Sequence, residues 1–235
     1  MSSLVVNTNI SAVNAYNNLN ATDSAMTTAI ARLSSGLQIQ TAADNPAGYV
    51  IAEGLESQSN GFQVAISNAQ NGVSLIQTAS GALNQIASIL QTMDSLALAS
   101  ANGATQDSQS LSANQQEFVA LQNQIDQIAN TTSFGTTKLL DGTFSNQTLQ
   151  VGAFDASNQQ LSLTIGGATT GALGVASTSV AVGSAVSAQA AVSAVQAAIN
   201  SVASIEASVG ATQNQLQAIV ANLTVGQQNL QSAYS

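Results

Sequence analysis

Two apolar ladders, separated by a glycine-rich interlude, constrain this chain more than any other feature. The first runs Phe62, Ile66, Ala69, Val73, Ile76, Ala79, Leu83, Ile86, Leu90, Met93, Ala97. The second runs Val192, Val195, Ile199, Val202, Ile205, Val209, Thr212, Leu216, Ile219, Leu223, Gly226, Leu230. Steps of three and four alternate almost throughout, so each ladder lies on one narrow stripe of a helix and needs a partner helix to cover it. The expected fold is mainly α: an elongated antiparallel helical bundle or coiled-coil rod with a small β-hairpin region. Its core is expected from Phe62, Ile66, Val73, Ile76, Leu83, Ile86 and Leu90 on one helix and Val202, Val209, Leu216, Ile219 and Leu223 on the other.

Only 3% of the 235 residues are aromatic, although 45% are hydrophobic. Slender helix pairs suit such small apolar residues better than a bulky globular core. Charged residues make up 6%, far below the ordinary quarter. Ion pairs therefore cannot set helix register, which falls to apolar fit and amide hydrogen bonds.

Two basic residues against eleven acidic ones remove the electrostatic attraction that dominates nucleic-acid binding, and they leave no basic face for anionic lipid. With so little charge overall, association between copies is the expectation. Cysteine and histidine are both absent, which excludes disulfides, thiolate nucleophiles, the usual zinc sites and histidine-dependent triads. Glu53 and Glu56 stand three apart on an expected helix, but no base, metal cluster or cleft signature accompanies them, so they read as solvated carboxylates. No catalytic, cofactor-binding or metal-binding residues are expected. The start lacks both parts of a cleavable signal and no stretch reaches membrane-spanning length, which taken alone reads as cytosolic, without membrane insertion.

Along the chain, residues 1 to about 35 read as an amphipathic helix after a short extended start. Its stripe, Ile10, Val13, Leu19, Met26, Ile30, Leu33 and Leu37, finds no partner of matching length in the chain and is expected to be covered by another copy. Arg32 is expected on the same assembly surface, paired across subunits with Asp44 or Asp23. Pro46 and the neighbouring glycines break the helix. A short helix over 49–57 is expected to stop at Gly61, before the long ladder. Asn102-Gly103 reverses the chain into a helix over 108–130, and alternation around Leu149 and Leu161–Ile165 reads as small hairpins within an insert of about 131–183. The last helix starts near Ala185 and reaches Ser235 without a stop signal, which reads as a chain cut mid-pattern.

Several blocks, in order, carry a resemblance. VNTNISA at 6–12, RLSSGLQIQTAADNPAGYVIAEGL at 32–55, NAQNGVSLIQTASGALNQIASIL at 68–90, QIDQIANTTSFGTTKLLDG at 124–142 and GATQNQLQAIVANL at 210–223 resemble bacterial flagellin, the subunit of the flagellar filament. The resemblance implies an inner-tube helix over 1–42 and a helical rod over 43–235. It further implies a self-assembling, non-catalytic filament subunit, exported without a cleaved signal through the flagellar type III apparatus to an extracellular position. The implied partners are other copies, the export apparatus, and the cap and junction proteins. Nearby alternatives are a hook-filament junction protein and a flagellin-like surface protein that binds polysaccharide.

Three departures matter. The family normally continues several tens of residues beyond NLQSAYS at 229–235, and the short insert implies a slim filament. Basic positions common in the family are replaced. In members recognised by the vertebrate Toll-like receptor, an arginine, a leucine and a glutamate carry much of the contact. Here those positions are Thr92, Leu96 and Glu117, so the implied receptor contact is weak.

Overall fold

The computed structural model describes residues 9–234. The extended start expected before the first helix lies outside the described residues, as does Ser235. Four helices and two short strand pairs follow in the order α1 (Ile10–Ser35), α2 (Pro46–Ala101), α3 (Ser108–Thr131), β1 (Ser133–Phe134), β2 (Thr137–Lys138), β3 (Gln147–Gln150), β4 (Gln160–Leu163) and α4 (Ala185–Tyr234). The chain divides into two compact units: the described residues through Asn60 with those from Gln227, and Gly61–Gly226. The single boundary expected from the sequence lies between 42 and 43.

Local chemistry sets the helix ends. Pro46 opens α2, where its missing N–H costs nothing, and Asn45 Oδ1 accepts the N–H of Gly48 at 3.1 Å. Asp107 caps α3 by accepting from Ser110 N at 2.7 Å. Ser184 and Ser187 cap α4 reciprocally, each hydroxyl taking the other's backbone N–H. The expected break at Gly61 does not occur, because one glycine costs a helix only about 1 kcal/mol and does not stop it. Gly61 instead lets the loop after β3 come close: an added Cβ would stand 2.6 Å from the Ala153 methyl.

In the second unit, besides Ile89, the buried α2 residues fall at Ala65, Ala69, Gly72, Ile76, Ala79, Leu83, Ile86, Leu90, Met93, Ala97 and Ser100. This is an unbroken alternation of four and three, the signature of a supercoiled seam. Helix α4 answers it in antiparallel sense. Added Cβ atoms at Gly226, Gly72 and Gly103 would meet Phe62, Leu216 and Ala185 respectively. Ten residues from Phe62 to Gly72 thus match ten from Gly226 back to Leu216, and thirty-one from Gly72 to Gly103 match thirty-one from Leu216 back to Ala185. The seam runs without a register slip.

Of the expected core, Ile76, Leu83, Ile86, Leu90, Val202, Val209 and Leu216 are buried, while Phe62, Ile66, Val73, Ile219 and Leu223 are half-buried. Toward Gly61 the seam is centred on Ala65 and Gly72 instead of Ile66 and Val73. Only small residues fit there, since an added Cβ on Gly72 would lie 2.7 Å from Leu149 of β3.

The β-rich segment holds two hairpins. Strands β1 and β2 pair Ser133 with Lys138, and β3 and β4 pair Gln147 with Leu163, so the alternating stretches near 149 and 161 are the two arms of one hairpin. Asn68 Nδ2 donates to the Gln150 carbonyl at 3.2 Å and fixes that hairpin to α2.

Helix α3 holds the return segment to α4 through side chains. Gln115 Oε1 accepts the Val182 N–H at 2.6 Å, and Asp126 takes both the N–H and the hydroxyl of Thr170 at 2.8 Å. Between them, buried Gln122 donates Nε2 to the carbonyls of Val175 at 2.8 Å and Val180 at 3.2 Å. These bonds replace a backbone ladder along a segment that forms none.

Candidate assembly surface

Helix α1 forms for local reasons and buries nothing. Asn9 Oδ1 caps it by accepting from Ala12 N at 3.2 Å, and Gly36 ends it in a left-handed turn (φ 72°), its N–H donating to the Arg32 carbonyl. None of its twenty-six residues is buried. Leu33 is 86% exposed, Ile10 71% and Leu19 66%, and Val13, Met26 and Ile30 are exposed as well. Leu37, just past the helix, is half-buried.

Four hydroxyls around this stripe are already satisfied. Thr22, Ser24, Thr27 and Thr28 each donate their hydroxyl to the carbonyl four residues back, at 2.8–2.9 Å. A helix laid against this surface would displace water without stranding those donors. Its charges are few: Asp23, and Arg32 in the last turn. Arg32 was expected to pair across subunits, but its guanidinium Nη2 donates to Asp44 Oδ1 of its own chain at 3.0 Å. The loop after Gly36 returns Asp44 to the last turn of α1, so the intrachain partner is available before any other copy arrives.

The loop is built on that carboxylate. Asp44 Oδ2 accepts the Thr41 hydroxyl and N–H, both at 3.0 Å, and the Gln40 N–H at 3.3 Å. The Thr41 hydroxyl and N–H, then Arg32 and Gln40, hold the Asp44 carboxyl below its ordinary value of 3.8. Leu37, Ile39, Gly48, Ile51 and Leu55, together with Ala233 and Tyr234 of α4, line a crevice. There the Tyr234 hydroxyl donates to Glu56 Oε2 at 3.1 Å, which raises the phenol above its ordinary value of 10.0. Of the carboxylates singled out in the sequence, Glu56 is thus bound to Tyr234, and Glu53 raises the Tyr49 phenol above its ordinary value. No group of His, Cys, Asp or Glu among the described residues is arranged to hold a metal.

The receptor-type positions lie in the second unit. Thr92 is exposed, with its hydroxyl donating to the Ser88 carbonyl, Leu96 is half-buried one turn on, and Glu117 is exposed. Asn114 Nδ2 donates to Ser100 Oγ at 3.0 Å, which brings the α3 turn carrying Glu117 beside the α2 turn carrying Leu96.

Residues 6–145 match the model of the bacterial flagellin N-terminal helical region. Flagellin D of Vibrio anguillarum is 46% identical over 158 residues, covering 67% of this chain and 42% of that protein. Polar flagellin B/D of Vibrio parahaemolyticus is 47% identical over 148 residues, covering 63% and 39%. The chain therefore spans about two fifths of the length of these relatives. Among solved structures, Bacillus cereus flagellin superposes with a TM-score of 0.59 at 27% identity, over 67% of this chain and 88% of that one. A Vibrio parahaemolyticus protein described as flagellar hook-associated shares the fold, with a TM-score of 0.67 at 14% identity over 83% of this chain and 99% of that one.

Proposed function

This chain belongs to the bacterial flagellin family, and on that premise we propose that it is a structural, non-catalytic subunit of an extracellular flagellar filament, self-associating by lengthwise helix packing. The observation that carries the reading is α1: a helix with an exposed apolar stripe, internally bonded hydroxyls and few charges. Covering its larger side chains would return about 25 cal/mol for each Å² of apolar surface taken from water. A second copy presents the same chemistry and so fits it.

The wider assignment follows from membership: export through the flagellar apparatus without a cleaved signal, partnership with cap and junction proteins, and motility as the use. A hook-filament junction role shares the fold, but the sequence identity to Vibrio flagellins favours the filament subunit. Receptor recognition through Thr92, Leu96 and Glu117 would be weak, because an arginine anchor at an interface typically contributes more than about 2 kcal/mol and threonine does not replace it.

Sedimentation and electron microscopy of the full chain beside a Leu19→Ser/Ile30→Ser variant test the reading. Concentration-dependent association that is lost in the variant supports it. Association of both to the same extent, or of neither when seeded with filament fragments of a full-length relative, would overturn it.

A further inference from the structure

We infer that Asp44 is the positioning residue of the α1 surface, one carboxylate setting the direction in which α1 leaves the loop that joins it to α2. The surface it positions is the one read above as an assembly face, so the biological use of the device rests on that reading.

The carboxylate divides its work between its two oxygens. Oδ1 takes Arg32, which belongs to the last turn of α1. Oδ2 takes the Gln40 and Thr41 N–H groups and the Thr41 hydroxyl, which belong to the loop. The next residue, Asn45, caps α2 through Gly48 N. One side chain therefore ties the end of one helix to the residue immediately before the cap of the next.

No fully buried side chain holds this angle. The described residues from Asn9 to Asn60 include no buried side chain, and neither do those from Gln227 to Tyr234. Charge-assisted hydrogen bonds are the stronger kind and are directional, so they are suited to hold an angle where no core exists. A second link, from Gln40 Nε2 to Ser35 Oγ, tethers the loop to α1 but not to the start of α2.

From α1, Asp44 faces Arg32. From its own loop it faces Thr41 and Gln40, neither of which titrates, and no titratable group of α2 bonds to it. The carboxylate is held below its ordinary value, so its bonds are fully present above the usual aspartate range and are lost as pH falls through the lowered value.

The chain contains no cysteine, so paired spin labels at Asn18→Cys and Ser57→Cys report the angle cleanly by pulsed dipolar spectroscopy on the full chain. The expected result is one narrow distance distribution at neutral pH that broadens below the usual aspartate range. Asp44→Asn should lose the narrow peak at neutral pH and show no further change on acidification. Arg32→Gln should broaden it in part, and Gln40→Ala should leave it narrow. An unchanged narrow peak in Asp44→Asn, or acid broadening that persists in that variant, overturns the inference. Dilution of the doubly labelled chain into an excess of unlabelled chain removes distances between copies, so the inference and the assembly reading fail by different signals.

Discussion

The two units of this molecule solve the same problem by opposite means. Gly61–Gly226 has a continuous core running from Ala69 on α2 to Leu216 on α4, with β3, β4 and the return segment sealed against it. The other unit has no buried residue among its described positions, and polar bonds centred on Asp44, Asn45 and Glu56 give it shape. Burial fixes structure without a partner. An uncovered apolar stripe defers part of its stabilisation to whatever covers it. Under the proposed assembly, the difference separates the unit that is held by its own core from the unit that offers a face to another copy.

The contrast breaks most readily at Leu90, which is fully buried on the α2 seam. Leu90→Ala should cost about 2–5 kcal/mol in urea unfolding. Leu19→Ala, at equally apolar chemistry on α1, should stay within about 0.5 kcal/mol in dilute solution. Equal costs would erase the distinction between the units.

A smaller loss is expected at Gln122. Replacing it with leucine removes the donor for the Val175 and Val180 carbonyls and should cost about 1–3 kcal/mol. Amide exchange near Val182 should rise while the β3–β4 hairpin remains protected.

The glycines of α2 sharpen the comparison further. Gly72→Ala puts a methyl against Leu149 and Leu216 and should destabilise by about 1 kcal/mol or more. Gly81→Ala and Gly54→Ala enter open space and should stabilise by up to about 1 kcal/mol through helix propensity, the first in the cored unit and the second in the uncored one. Thermal melting distinguishes the signs.

The smallest effect is that of acid. Asp44, Asp107 and Asp141 all have carboxyls lowered from 3.8 by their hydrogen bonds, so each contributes above the usual aspartate range and loses that contribution as pH falls through its lowered value. Hydrogen exchange followed downward in pH should show Gln40 and Thr41 opening while the seam around Leu90 stays closed. Simultaneous opening would mean that the units are not independently held.

Much of this was legible in the sequence. The seam shows in the alternating ladder, and α1 shows as a stripe without a partner. What periodicity hides is the role of small residues: a search for large apolar groups finds Ile66 and Val73, whereas the buried positions are Ala65 and Gly72, and the hairpin's Leu149 leaves no room for a side chain at Gly72. Gly61 looked like punctuation and is a seat for Ala153. Asp44 was visible as a partner for Arg32, but the Thr41 and Gln40 donors that make the pair intrachain depend on loop geometry. The α3 clamp did leave a trace. Leu111, Gln115, Phe118, Gln122, Ile125 and Ala129 step by four and three, so two amides occupy seam positions where apolar residues are the rule.

The matched stepping of α2 and α4 makes their lengths interdependent. Removing one residue from either would turn everything beyond it by about 100° and point the stripe away from its mate. Shortening or lengthening is tolerable only in whole heptads cut from both strands of the seam together.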